Sequence, residues 1–209
     1  MQRPMVVPPN DHMPDPTEDP KPALRRMFRS DRAAFVAALS PAARTRLEGE
    51  LAARVLPLLR SAPVIASYAA VGPELDPGPI EALLAASRPA PKTAFPLVTG
   101  RDLSFHIADW VDLRPGVLGI PEPAATAPRV TPGVLLVPLL AVTTAGVRLG
   151  QGGGYYDRTL RSLRAAGRVT AIGLAWDVQI ADALPRDPWD ELLDWVATPT
   201  RLVDCAKQR

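Results

Sequence analysis

Apolar and polar positions change period along the chain in a way that alternates helices with strands. From Pro22, good helix formers put Leu24, Met27 and Phe28 on one stripe, and Ser30 or Asp31 stands where it would cap a continuation through Leu39. Ser40-Pro41 is a second start signal: a capping hydroxyl, then proline in the first turn, where its missing N–H costs nothing. Leu47, Leu51, Val55 and Leu58 mark the face this helix is expected to bury. Pro63 precedes VIASYAAV, short and apolar as a strand covered on both faces must be. After the loop GPELDPGP a helix is expected around Ile80 to Ser87, and TAFPLV and LSFHIA read as strands parted by the turn Thr99-Gly100. A proline-rich crossing runs from Leu113 to Pro132. VLLVPLLAV, the most apolar strand, feeds a glycine-rich turn that opens a helix at about Tyr155. RVTAIGLAW is the last clear strand, and Asp187 to Trp195 is expected to be helical or turn-rich. The alternation predicts one three-layer α/β domain over residues 21–209, with a mostly parallel sheet flanked by helices.

Residues 1–20 stand apart. They hold six prolines and several acidic groups, with no apolar run of signal-peptide type, and are expected to be a disordered leader. The chain's 209 residues suffice for one domain, and two would be cramped. Its longest apolar stretch, Val134 to Val142, is interrupted by Pro138 and falls far short of the ~20 residues of a membrane span. Cys205 is the only cysteine, so neither an internal disulfide nor a cysteine metal cluster is available, which agrees with a reducing, cytoplasmic setting. The net charge is +2, and no platform of interleaved aromatic and basic residues is visible, so nucleic acid is not an expected partner. Arginines gather between Arg25 and Arg60 and between Arg158 and Arg168. Such clusters are either solvated helix faces or the surroundings of a polyanion, and composition does not choose. The two histidines, His12 and His106, belong to no recognisable triad.

The segment richest in chemistry is GVRLGQGGGYYDRTL, residues 146–160. Gly150, Gly152, Gly153 and Gly154 lie between an apolar strand and a helix, where glycine lets backbone amides approach a ligand closely. Several amides converging at a helix N-terminus make a site for phosphate oxygens. Arg148 precedes the turn as a potential charged fork, and Asp157 follows it in the first helical turn, where a carboxylate suits a magnesium ion bridging phosphates. The pattern is neither a Walker loop nor the dinucleotide fingerprint. On spacing alone it is equally a plain strand-to-helix turn, with Asp157 merely favourable to the helix dipole.

That segment resembles the signature of the 5-formyltetrahydrofolate cyclo-ligase (methenyltetrahydrofolate synthetase) family: RLG, a glycine-rich turn, then YYDR. The likeness extends from about Lys21 to Thr198, with the blocks in order: Lys21 and Arg25, SYAAVGPELD, GIPEP (119–123), and LPRDPWDELLDWVATP around Asp190 and Asp194. The resemblance implies that Lys21 and Arg25 contact ATP, and their four-residue spacing independently puts them on one helix face. It implies that Arg148 and the segment Gly150, Gln151, Gly152, Gly153, Gly154, Tyr155 and Tyr156 cradle the triphosphate and line the folate pocket. Ala69, Glu74 and Tyr155 would contact the folate, and Asp157 with Asp190 would hold Mg2+. The implied fold is that of sugar-phosphate isomerases and CoA-transferases. The implied reaction turns 5-formyltetrahydrofolate and ATP into 5,10-methenyltetrahydrofolate, ADP and phosphate, without a protein nucleophile; a monomer is expected rather than an oligomer. An Asp157→Asn change is then expected to lose most of the activity with the fold intact.

The chain departs from the pattern at Val142-Thr143, where members often carry Phe-Asp, and at Gln151 and Trp189. Thr143 keeps a second reading open, a folate- or nucleotide-binding relative with impaired catalysis. The phosphate cradle alone also tolerates a sugar-phosphate isomerase or CoA-transferase relative.

Overall fold

The computed structural model describes residues 19–208. The expected leader therefore lies, up to residue 18, outside the described residues. The chain begins with α1 (Lys21–Ala37) and α2 (Pro41–Leu59), then β1 (Val64–Ala66), α3 (Gly78–Ala85), and the hairpin β2 (Lys92–Thr99) with β3 (Asp102–Ile107). Short strands β4 (Arg114–Pro115), β5 (Pro121–Glu122) and β6 (Arg129–Val130) occupy the proline-rich crossing. β7 (Val134–Val137), β8 (Ala141–Val142), β9 (Arg148–Leu149), α4 (Tyr155–Ala166), β10 (Thr170–Leu174), β11 (Trp195–Ala197) and β12 (Leu202–Asp204) complete it.

Eight strands form one sheet in the order β12-β11-β10-β7-β1-β2-β3-β6. Its interior pairings, from β11 through β10, β7 and β1 to β2, are parallel, and both margins are antiparallel. Because side chains alternate across a strand, β7 serves two cores. Val134 and Leu136 pack with Leu51, Val55 and Leu59 of α2 and Ile80 and Leu84 of α3, while Leu135 and Val137 pack with Leu160 of α4. Helices cover both faces, so the three-layer α/β expectation holds. Among the described residues no helix is long and apolar enough to cross a membrane.

Ser40 caps α2 as expected, its hydroxyl accepting from the Ala43 amide at 3.2 Å. Two local expectations need correction. Ser30 and Asp31 do not start a new helix but lie inside the continuous α1. Met27 is exposed, and the buried stripe of that helix is instead Leu24, Phe28 and Arg32, the latter two being its buried members. Of the two alternatives for Asp187 to Trp195 the turn-rich one holds, and from Trp195 the chain enters the sheet's β11 and β12 margin, in strands of three residues too short to leave a period.

Candidate active site

β7 delivers the chain, beyond the carboxyl ends of the parallel strands, into a small antiparallel hairpin of β8 and β9. This is where ligands bind in open α/β sheets. The hairpin turn is closed by Thr143: its amide donates to Val147 O at 2.9 Å and its Oγ1 accepts from the Val147 amide at 3.2 Å. A hydroxyl here does the turn-ordering work that an aspartate carboxylate would do. The chain then runs through residues 150–154 into α4. Gly152 and Gly154 have φ of +103° and +66°, a region that side-chain-bearing residues avoid. No side chain caps α4, which leaves its first-turn amides to solvent or a ligand.

Three cations of α1, one helical turn apart, lean over this turn. Lys21 Nζ reaches Asp187 Oδ2 and Asp190 Oδ2, both at 2.6 Å. Arg25 Nε donates to Gly150 O at 3.0 Å, and its guanidinium lies over Gly152. Arg29 Nη2 donates to Gln151 Oε1 at 2.7 Å. Burial pulls the Lys21 amine down, but its bonds to Asp187 and Asp190 outweigh this and hold it above its ordinary value. Burial likewise opposes the charge on Asp190, and the Lys21 bond overcomes it, keeping that carboxyl low. The structure therefore brings Lys21, Arg25, the glycine turn and Asp190 together.

Arg148, the potential charged fork, is buried beside the head of α4. Its side chain is 4% exposed, bonds Asp157 Oδ1 at 2.6 Å, and lies 5.8 Å from the centre of the Tyr156 ring. A guanidinium sunk beneath a helix N-terminus finds its counter-charge in the first-turn carboxylate. Asp157 Oδ1 also accepts from the Glu191 amide at 3.1 Å, which joins the turn to the segment bearing Asp190. Among the described residues no three potential ligands cluster to hold a metal. Asp157 Oδ2 and Asp190 Oδ1 are, however, not taken up by the bonds their partner oxygens make. This donor set does not form a closed cage, but it fits Mg2+ arriving on phosphates, since that ion needs only one or two carboxylates beside them.

Glu74 and Ala69 lie on the loop after β1. Ala69 is buried with Phe95 and Leu113, and Ile120 of the GIPEP element packs on them. Glu74 Oε2 accepts from the Val71 amide at 3.0 Å. Tyr156 is half-buried, and burial, then the negative charge of Glu74, pushes its phenol up against the pull of Arg148. Tyr156 packs on the core beneath α4 beside Arg148, while Tyr155 turns toward Arg158, 5.2 Å from its ring centre. Asp194 bonds Arg164 and the Ala171 amide, a structural tie between α4 and β10. Sequence reasoning missed Arg29, Arg32 and Asp187. The four-residue series from Lys21 through Arg25 signals Arg29, whereas a charged residue on the Leu24–Phe28 stripe is the signal for Arg32.

The model of the 5-formyltetrahydrofolate cyclo-ligase family matches residues 17–199. A 5-formyltetrahydrofolate cyclo-ligase of Escherichia coli is 31% identical over 173 residues, 79% of this chain and 94% of that protein. One from Mycolicibacterium smegmatis is 41% identical over 101 residues, 44% of this chain and 51% of its own length, so that match spans about half of the relative. The solved structure of Aquifex aeolicus 5,10-methenyltetrahydrofolate synthetase superposes with a TM-score of 0.73 at 28% identity, covering 90% of this chain and 93% of that one.

Proposed function

The chain belongs to the 5-formyltetrahydrofolate cyclo-ligase family and is an enzyme of it, and from that premise we propose that it converts 5-formyltetrahydrofolate and MgATP into 5,10-methenyltetrahydrofolate, ADP and phosphate. The formyl oxygen is amide-like and a poor leaving group. Transfer of the γ-phosphoryl group to it releases ADP and gives an iminium phosphate. The neighbouring folate nitrogen attacks that carbon and loses its proton, and the oxygen departs with the phosphate. Catalysis of this kind is positioning and charge neutralisation. Lys21, Arg25 and the amides of residues 150–156 bind and orient the triphosphate, with Arg148 holding the head of α4 in place through Asp157. Ala69, Glu74 and Tyr155 receive the folate. Mg2+ supplies charge neutralisation on the phosphates, with Asp157 and Asp190 as its protein ligands.

The observation that carries this reading is the convergence of α1 cations on an uncapped, glycine-built helix entry. Thr143 lends little support to an impaired relative, because its hydroxyl orders the turn. The near-neutral charge and the single, buried cysteine suit a monomeric cytoplasmic enzyme without nucleic-acid or membrane partners. The deciding experiment mixes protein, MgATP and 5-formyltetrahydrofolate and follows methenyl absorbance and ADP together. Equal growth of both is expected. Folate binding with neither signal would leave a binding protein, and ADP release independent of the folate would point to another chemistry.

A further inference from the structure

Arg32 sits where helix stability alone gives no reason for an arginine. It shares the buried stripe of α1 with Leu24 and Phe28, its side chain is 5% exposed, and its Nε has no hydrogen-bond partner. Nη1 donates to Leu139 O at 3.3 Å and stands 3.6 Å from Glu74 Oε1. Burial pulls the guanidinium below its ordinary value, and the charge of Glu74 is the first influence opposing it. A methionine of similar length would fill this position without desolvating a charge or orphaning a donor, and buried ion pairs are weak contributors to stability. What the arginine does supply is a fixed position for the Glu74 carboxylate. Val71 N–H grips Oε2 and Arg32 stands against Oε1, so the carboxylate is held from both ends, on a loop whose backbone is tied down separately by Arg44 Nη2 on Glu74 O, the Tyr68 hydroxyl on Leu75 O and Trp176 Nε1 on Pro73 O.

We propose that Arg32 is a positioning residue for the folate: it orients the Glu74 carboxylate from behind and makes no contact with substrate itself. This rests on the reading of Glu74 as a folate contact. The same helix carries Lys21 and Arg25 on its nucleotide side, so a role in merely anchoring α1 would disturb both substrates alike, whereas positioning through Glu74 disturbs one.

The test measures KM for 5-formyltetrahydrofolate and for MgATP separately in Arg32→Met, Arg32→Lys, Glu74→Gln and the Arg32→Met/Glu74→Gln double variant. Arg32→Met is expected to raise the folate KM about tenfold, the scale of one charge-assisted contact, and to leave the ATP KM nearly unchanged. Arg32→Lys, which also serves should the methionine variant fold poorly, is expected to recover part of the loss. The double variant is expected to be no worse than Glu74→Gln alone. Equal rises in both KM values, or effects that multiply in the double variant, would overturn the proposal. A Glu74→Gln enzyme with an unaltered folate KM would instead remove the role of Glu74 and this inference with it, whereas a raised KM there beside an unaffected Arg32→Met enzyme would sink the inference alone.

Discussion

Replacing Asp157 by asparagine tests whether its carboxylate belongs to the fold, the chemistry or both. Viewed from the sequence, the change should leave the fold intact. The structure adds a cost, because Asp157 is the counter-charge of Arg148, whose side chain is 4% exposed and whose Nε has no acceptor. Breaking a buried pair by neutralising one partner typically costs about 3–5 kcal/mol. Asp157 is 22% exposed, and asparagine keeps an oxygen for the Glu191 amide, so we expect about 2–3 kcal/mol. For a chain of this size that is a fall in Tm of roughly 5–10 °C. An Arg148→Met/Asp157→Asn double variant removes the stranded charge and is expected to regain most of the lost Tm. Activity should behave otherwise: both variants lose about 100-fold or more in kcat, the usual scale for one transition-state electrostatic contact, and additional Mg2+ does not restore it. Calorimetric melts beside methenyl absorbance at saturating substrates separate the two. An Asp157→Asn enzyme with an unshifted Tm would refute the ion-pair account, and one with full kcat would refute the metal assignment.

The Lys21–Asp190 pair makes a pH-dependent contribution with a defined window. Lys21 is held above its ordinary 10.5, so its share is complete below that value and is lost as pH rises through the raised one. Asp190 is held below its ordinary 3.8, so its share is complete above 3.8 and is lost as pH falls through the lowered one. The Tm advantage of the parent over Asp190→Asn should accordingly be level between these limits and vanish in acid, and an advantage that survives fully at pH 2 would contradict the pairing. Gly152→Ala places a side chain at φ +103°, with the Arg25 guanidinium 3.4 Å from the new Cβ. The strain is about 1–3 kcal/mol, and because the loop is exposed it should relax by displacing Arg25. An ATP KM raised several-fold with the folate KM unaltered is the expected kinetic result, and an unchanged ATP KM would count against Arg25 as a nucleotide contact.

Legibility in the sequence followed the length scale of each feature. The helices α1, α2 and α4 span three turns or more, enough for period and caps to identify them, and the apolar strands β7 and β10 are continuous enough to announce a covered sheet. β11 and β12 hold three residues each, and their pairing with β10 depends on a partner far along the chain, so nothing local marks them. In the site, the spacing of the glycine turn and Asp157 suggests a phosphate cradle without deciding it, the resemblance of the whole block to a family signature supplies the rest, and Lys21 with Arg25 shares a face by helix geometry. Direction was the hidden variable. Arg148 has the right type and place for a phosphate fork, and its burial against the Asp157 carboxylate is a property of packing that spacing does not carry. Arg32 was overlooked for the converse reason: its partner Glu74 lies 42 residues away on a loop, and only the fold brings them together.

The three α1 cations that face the turn each have a protein acceptor: two carboxylates for Lys21, a carbonyl for Arg25 and an amide oxygen for Arg29. On the proposed function, a triphosphate entering the turn therefore does not meet bare charges. It exchanges phosphate oxygens for those acceptors, and the gain is the difference between two sets of charge-assisted bonds rather than the whole of one. The exchange has a second effect. Each Lys21 bond given up frees an oxygen of Asp187 or Asp190, close to Asp157 through the Glu191 amide, and Mg2+ carried on phosphates needs just such carboxylates. Lysine that leaves the acids for the nucleotide thus prepares the metal position in the same movement. On that reading, the protein acceptors of the three cations, of which only those of Lys21 are acids, hold the places that phosphate oxygens would take.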